Sequence, residues 1–203
     1  GGQISFDGTL VAAYQSGRGI MIADTLTNQT VTTVATDLTV TDLTLNATSD
    51  LLVISAVDGF LAYDLAGNPV ALPELQSASD FAYSRGGGLG DGVTAVGQTD
   101  GSIALYYGAA LPGQLLSVIE TGIATPVSVK LDRTGAWVVA YDASGIVGVW
   151  NVATLEQLPT PASRTGLTGQ AFDLLGRALA VASQPGQVDV VDLVSGTLLA
   201  TLG

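Results

Sequence analysis

The fold prediction rests on the stretch Gly97-Gln98-Thr99-Asp100-Gly101-Ser102-Ile103-Ala104-Leu105-Tyr106. It contains the end of one apolar strand, an Asp-Gly turn and the start of a second apolar strand. Comparable turns led by glycine recur along the chain, at Gly19, Gly59, Gly101, Gly145 and Gly186. Their intervals are 40, 42, 44 and 41 residues. A period of this size indicates a repeat architecture, in which each unit stacks on its neighbours to bury its faces.

Each repeat predicts a meander of four short antiparallel strands. In the first repeat the apolar runs are 4–6, 10–14, 20–23 and 30–35, separated by turns rich in Gly, Asp, Asn and Ser. The later repeats follow this plan, and the fourth ends in a strand expected near residues 156–158. No segment of ten or more residues has a capped helical period. We therefore predict an all-β chain that forms one domain, a five-bladed β-propeller with four-stranded antiparallel blades at about 1–37, 38–77, 78–122, 123–163 and 164–203.

The charge balance is strongly acidic. The net charge is −12, from 18 acidic against 6 basic residues. Because such a surface repels phosphate backbones and anionic lipids, we expect neither nucleic-acid binding nor membrane association. The hydrophobic fraction is 47%, yet no apolar run approaches the roughly 18 residues of a membrane helix. Strands covered on both faces explain this composition, and the acidic surface favours solubility or a cationic partner.

The chain contains no cysteine and no histidine. Disulfides, Ser-His-Asp and Cys-His catalysis, and the usual zinc and haem ligands are therefore excluded. Carboxylates are the remaining candidates for chemistry, but Glu74, Glu120 and Glu156 fall in or beside predicted outermost strands. No Asp-x-Asp-x-Asp-Gly calcium loop occurs. We expect no catalytic residue, no metal site and no cofactor.

Several turn residues have a predicted structural role. Asp24, Asp64, Asn151 and Asp192 follow the third strands of their repeats, where a short polar side chain can cap backbone amides. The pairs Asp58-Gly59 and Asp100-Gly101 are expected to form two-residue hairpin turns with positive φ.

Two kinds of segment resemble WD repeats. Residues 97–106 and 145–151 are similar to the central part of that repeat, where an Asp-Gly turn leads to a strand ending in Trp-Asp. Residues 6–10 and 131–135 resemble its Phe-Ser-Pro-Asp-Gly turn, and the fifth repeat is equally similar to YVTN-type propellers. The likeness covers essentially the whole chain. WD repeats usually carry a Gly-His pair, which is impossible here, so the resemblance implies a divergent, bacterial type of propeller.

The resemblance implies a non-enzymatic scaffold that binds another protein through the loops of its blades. Tyr14, Arg18, Tyr141 and Asp142 lie at or just beyond the ends of second strands, and we expect them to contact the partner. A carbohydrate-binding propeller and a five-bladed glycosidase with an acid pair are the alternatives. The sequence opens at Gly1-Gly2-Gln3 without an initiator Met or a signal peptide, which suggests a part of a larger chain or assembly. It indicates neither the compartment nor the partner.

Overall fold

A computed structural model describes the chain as an all-β protein. The described residues are 2–5, 7–46, 48–84, 92–108, 113–123, 128–142, 147–159, 169–173, 175–183 and 186–203. They form five antiparallel sheets of three or four strands, each built from strands consecutive in the sequence. Among these residues the one helical element is a single 3-10 turn, Pro73–Leu75. The predicted all-β class and the five antiparallel sheets are confirmed. Gly145 and most of the glycine-rich stretch 84–92 lie outside the described residues.

The described residues divide into two compact units, the first ending at Gln76 and the second beginning at Ser77. The first unit holds two sheets with sequential strand order. The first sheet consists of β1 (Gly2–Ile4), β2 (Leu10–Gln15), β3 (Gly19–Asp24) and β4 (Thr30–Val34). The second sheet consists of β5 (Val40–Leu45), β6 (Leu51–Ala56), β7 (Gly59–Asp64) and β8 (Pro69–Val70).

The second unit holds three sheets. The third sheet consists of β9 (Ala78–Ser84), β10 (Val93–Gln98), β11 (Ser102–Tyr107) and β12 (Gln114–Glu120). The fourth sheet consists of β13 (Ser128–Leu131), β14 (Trp137–Tyr141) and β15 (Val147–Asn151). The fifth sheet consists of β16 (Gly169–Phe172), β17 (Ala178–Ser183), β18 (Gln187–Asp192) and β19 (Leu198–Leu202).

In the first unit the two sheets pack face to face. Alternate residues of β2 and β3 point to one face, because successive side chains of a strand point to opposite sides. On that face, buried aliphatic side chains of the first sheet meet those of β5 and β6. This core contains Leu10, Ala12, Ile20, Ile22, Val34, Leu43, Leu45, Leu52 and Ile54.

In the second unit the fourth sheet is buried on both faces. Val138 and Ala140 belong to a core shared with the third sheet, which includes Val93, Ile103 and Leu105. Val139 lies on the opposite face of β14 and belongs to a core with Leu179 and Leu193. The continuous apolar sequence of β14 follows from this double coverage.

The predicted fourth strand near residues 156–158 is reduced to an isolated bridge between Trp150 and Gln157. Leu155 has φ 61°, which turns the chain, and Leu158 donates one further hydrogen bond to the Val149 carbonyl at 2.8 Å. Pro159 follows and has no N–H to continue the ladder. The fourth sheet therefore has three strands among its described residues.

Candidate functional site

The turn between the first and second strands has the same hydrogen bonds in four sheets. It begins with a polar residue, which we call the cap residue, whose side-chain oxygen accepts a hydrogen bond from the N–H five residues later. The four cap residues are Ser5, Asn46, Asp132 and Asp173, with distances of 2.8, 3.0, 2.7 and 2.9 Å. The residue three positions after each cap donates to the cap carbonyl and has positive φ. These residues are Gly8, Ser49, Gly135 and Gly176.

Within each unit these turns lie against the preceding sheet. Ser49 Oγ is 3.5 Å from Asp7 Oδ1 in the first unit. In the second unit, a Cβ atom on Gly176 would lie 2.4 Å from Asp132 Oδ2, so any side chain there would displace the Asp132 carboxylate. The turn of one sheet thus packs against polar groups in the equivalent turn of its neighbour.

A second recurrent turn joins the third and fourth strands. In it Asp24, Asn151 and Asp192 accept hydrogen bonds at Oδ1 from the N–H groups two and three residues later, at 2.7–3.0 Å. Asp64 Oδ1 accepts from the N–H groups of Ala66 and Asn68, two and four residues later, at 2.9 and 2.8 Å. These bonds to the ionised form lower the pKa of all three aspartates; the largest causes are the Thr27 N–H for Asp24, the Asn68 side chain for Asp64 and the Ser195 N–H for Asp192. Each side chain therefore stabilises its own turn.

The two Asp-Gly pairs adopt different turns. Gly59 is the first residue of β7, pairs with Ala56 and has φ 130°, so the two-residue loop is Val57-Asp58. Gly101 ends a three-residue loop, has φ 92° and donates to the Gln98 carbonyl at 3.0 Å. Asp100 accepts from the Ser102 N–H at 2.9 Å, which is the first of two Ser102 bonds that lower its pKa. Both glycines have the expected positive φ, but neither is the second residue of a two-residue loop.

The first and second recurrent turns lie at the same end of their sheet. The N–H of Thr25 donates to the Thr9 carbonyl at 2.9 Å, and Val152 donates to Ala136 at 2.9 Å. Leu193 donates to Arg177 at 2.8 Å in the fifth sheet. The turn between the second and third strands is at the opposite end, which is where the predicted binding residues lie.

Tyr14 and Arg18 belong to the first unit. The Tyr14 ring packs against the core between the first two sheets, and its hydroxyl donates to the Leu38 carbonyl at 3.3 Å. Arg18 is exposed in the turn after β2, where its N–H donates to the Gln15 carbonyl at 3.0 Å. Arg18 is thus exposed at the surface, whereas the Tyr14 ring packs against the core.

Tyr141 and Asp142 belong to the second unit. Tyr141 ends β14 between Ser128 and Val147, and both Tyr141 and Asp142 are half-buried. Tyr14 and Tyr141 occupy equivalent repeat positions, each nine residues after its cap residue, Ser5 or Asp132. Both residues were predicted at the ends of second strands, and β2 and β14 end at Gln15 and Tyr141.

An unpredicted polar contact links the third and fourth sheets. Asp80 on β9 accepts hydrogen bonds from its neighbour Phe81 and from the Val129 N–H of β13, both at 2.8 Å. Burial is the dominant effect on this carboxyl and raises its pKa. Tyr83 lies further along β9, and burial of its hydroxyl raises its pKa as well. That hydroxyl has no hydrogen-bond partner among the described residues.

Within the described ranges, no three Asp, Glu, His or Cys side chains come together in a group that could hold a metal ion. The same part of the chain contains no helix with the length and apolarity to span a bilayer. No protein-family model matches the chain, and no curated protein is similar enough to match it.

Proposed function

We propose that the five sheets are the blades of a WD-repeat-like β-propeller and that the protein is a non-enzymatic scaffold for another protein. The observation that carries the proposal is the recurrence of two hydrogen-bonded turns. The cap residues Ser5 and Asn46 are 41 positions apart, as are Asp132 and Asp173. Sheets that share their turns and pack face to face are the units from which propellers are built.

Rigid turns suit a docking role. The loop that carries Arg18 is closed by a backbone hydrogen bond from the Arg18 N–H to the Gln15 carbonyl at 3.0 Å, so little ordering entropy would be lost on binding. Arg18 is exposed four residues after the half-buried Tyr14, and Asp142 follows the half-buried Tyr141. Tyr and Arg are frequent anchors in protein interfaces, which favours these loops as the contact surface.

Quantitative affinity capture from lysate of the source cells tests the interaction. The wild-type chain, Arg18→Glu and the control Leu26→Ser are each used as bait. Leu26 is also an exposed loop residue, with 85% of its surface accessible, but it lies in the turn between β3 and β4, at the opposite end of the first sheet. We expect one or a few proteins to be retained by the wild type and the control but lost with Arg18→Glu. Equal retention by all three baits would count against this docking surface.

Glycan-array titration and solution X-ray scattering complete the test. Saturable binding of a glycan would replace the scaffold proposal by the carbohydrate-binding alternative. A scattering curve that fits an extended row of sheets rather than a ring would contradict the propeller.

A further inference from the structure

Four Asp-Gly pairs occur in the sequence, at residues 7–8, 58–59, 91–92 and 100–101. Such pairs can rearrange without an enzyme, because glycine has no side chain to hinder its backbone nitrogen from reaching the carboxyl carbon of the preceding aspartate. Residue 91 lies outside the described residues, and the other three aspartates are all exposed. Accessibility to water therefore does not distinguish these three pairs.

The glycine nitrogen has a comparable position in the three turns. The N–H groups of Gly8 and Gly101 each donate to the carbonyl three residues earlier, at 3.0 Å. Gly59 is likewise paired with the residue three positions earlier, Ala56. Any difference in reactivity between the pairs should therefore come from the carboxyl groups.

The carboxylates of Asp7 and Asp100 are held by hydrogen bonds. Asp7 Oδ1 accepts from the Ser5 hydroxyl at 2.7 Å and from the Thr9 N–H and hydroxyl at 3.1 and 2.8 Å. Asp100 Oδ1 accepts from the Ser102 N–H at 2.9 Å and from its hydroxyl at 2.7 Å. These bonds stabilise the ionised form and lower the pKa of both groups. Ring closure requires the protonated acid, whose hydroxyl can leave as water, so the bonds protect both sites.

Asp58 has no such protection. Its side chain is exposed and makes no hydrogen bond with any of the described residues. A Cβ atom on Gly59 would meet nothing within 4 Å, so there is room beside the turn for a five-membered ring. The loop between β6 and β7 thus combines a free carboxyl group with an unhindered glycine.

We infer that Asp58 is a site of spontaneous isoaspartate formation in the folded chain. The Gly59 nitrogen attacks the carboxyl carbon of protonated Asp58, a C–N bond forms, and the hydroxyl leaves as water with the amide proton. Water then adds to either carbonyl of this succinimide, breaks one C–N bond and returns aspartate or isoaspartate. No oxidant, reductant or further reactant is needed. Isoaspartate carries the backbone through its Cβ atom, which adds a methylene group to the two-residue loop Val57-Asp58.

Labelling with heavy oxygen tests the inference, because hydrolysis of the ring introduces one oxygen atom from solvent. The wild-type chain is aged at neutral pH in water enriched in heavy oxygen, either folded or unfolded in urea. Mass spectrometry with electron-transfer fragmentation then locates the label and distinguishes isoaspartate from aspartate. In the folded chain Asp58 should be labelled about tenfold faster than Asp7 or Asp100, since hydrogen bonds to a charged group must be lost at those two sites. In urea the three sites should react at similar rates.

Two variants isolate the chemical cause. Asp58→Glu keeps the charge but would have to close a six-membered ring, which is slower, so labelling at this position should disappear. Ser102→Ala removes the hydroxyl bond to Asp100 and should accelerate the labelling of Asp100, while Asp58 in the same molecule is the internal control. Circular dichroism checks that both variants are folded, and the comparison of sites in the wild type needs no variant.

Labelling of Asp58 no faster than that of Asp100 in the folded wild type overturns the inference. The same ranking of the three sites in urea would also contradict it, because the ranking would then come from the local sequence and not from the hydrogen bonds of the turns. No partner protein takes part in the reaction, so its outcome is independent of the proposed scaffold role.

Discussion

At Gly19 the backbone requires glycine for two independent reasons. Its φ is 85°, and a Cβ atom would lie 2.3 Å from the Val34 carbonyl oxygen of the neighbouring strand. Gly17, two residues earlier, has a similar φ of 76° but open space around the missing Cβ. The glycine spacing predicted the turn, whereas the approach of β4 could only be seen in the structure.

Gly19→Ala should therefore destabilise the chain more than Gly17→Ala does. The left-handed backbone costs either alanine about 1–2 kcal/mol, and Gly19→Ala must in addition displace β4. Urea unfolding of both variants measures the difference. Equal losses of stability would mean that β4 moves aside at no cost.

Asp132 is a buried cap residue whose carboxylate accepts from Trp137 N–H at 2.7 Å and Thr134 N–H at 2.9 Å. Asp132→Ala leaves these amides without their partner and should cost about 1–3 kcal/mol. Asp132→Asn should recover much of that loss, because Asn46 already holds the same position in the second sheet, bonding Leu51 N–H at 3.0 Å. Urea titrations of the two variants provide the measurement, and an Asn variant as unstable as Ala would contradict the shared cap.

At the scale of the strands, the sequence predicted most elements because their apolar runs end at recognisable turns. β2 and β3 were expected at 10–14 and 20–23, and the structure has them at Leu10–Gln15 and Gly19–Asp24. The strand expected at 156–158 is only an isolated bridge, because Leu155 adopts a positive φ of 61°, which its residue type does not indicate. Burial on both faces, as for β14, was readable from its unbroken apolar sequence.

The hydrogen bond from the Val129 N–H of β13 to the Asp80 carboxylate of β9 could not be predicted, because it joins residues 49 positions apart and no pattern within either strand indicates it. Asp80→Ala should raise the hydrogen-exchange rate of the Val129 amide by about tenfold or more, since that amide loses its acceptor. Asp42→Ala is the matched control. Asp42 lies in the first strand of the second sheet and accepts from the N–H of the next residue, Leu43, at 2.8 Å, as Asp80 does from Phe81. An unchanged Val129 rate in Asp80→Ala, measured by NMR, would show that the contact does not hold β13.

At the scale of the whole molecule, composition and repeat spacing predicted the fold class, since five similar apolar units leave little alternative to stacked sheets. The candidate site was less predictable. Tyr14 and Tyr141 look like surface anchors in the sequence, but a residue at a strand end can also turn inwards, as the Tyr14 ring does. Which face of a strand meets its neighbour depends on register, and the sequence specifies register only where one side is plainly polar.

The pH dependence of the stability of this acidic chain depends on which of its carboxylates accept hydrogen bonds. Hydrogen bonds from the Ser5 hydroxyl and from Thr9 lower the pKa of Asp7 from 3.8 to about 2. The pKa values of Asp24, Asp50, Asp64, Asp100, Asp173 and Asp192 are lowered in the same direction. A lowered pKa in the folded state means that the stabilisation is present above the unfolded value of 3.8 and is lost as the pH falls through the folded value.

The contribution of Asp80 to stability changes with pH in the opposite direction. Its raised pKa favours the folded state at low pH, and this contribution is lost as the pH rises through the folded value.

The pKa values of seven carboxyl groups are lowered, and only that of Asp80 is raised among the shifted aspartates of the described residues. The chain should therefore be most resistant to urea above pH 4 and should lose stability steadily between about pH 4 and pH 2. Asp7→Asn should flatten this dependence, since a side chain that does not titrate removes one of the contributing groups. Asp80→Asn should act above that range, because it removes the stability that the wild type gains as the pH falls through the raised pKa of Asp80 towards 3.8. Urea midpoints at a series of pH values for the wild type and both variants provide the measurement. An Asp7→Asn variant that weakens between about pH 4 and pH 2 as much as the wild type would show that the hydrogen bonds of this turn do not control the acid stability of the protein.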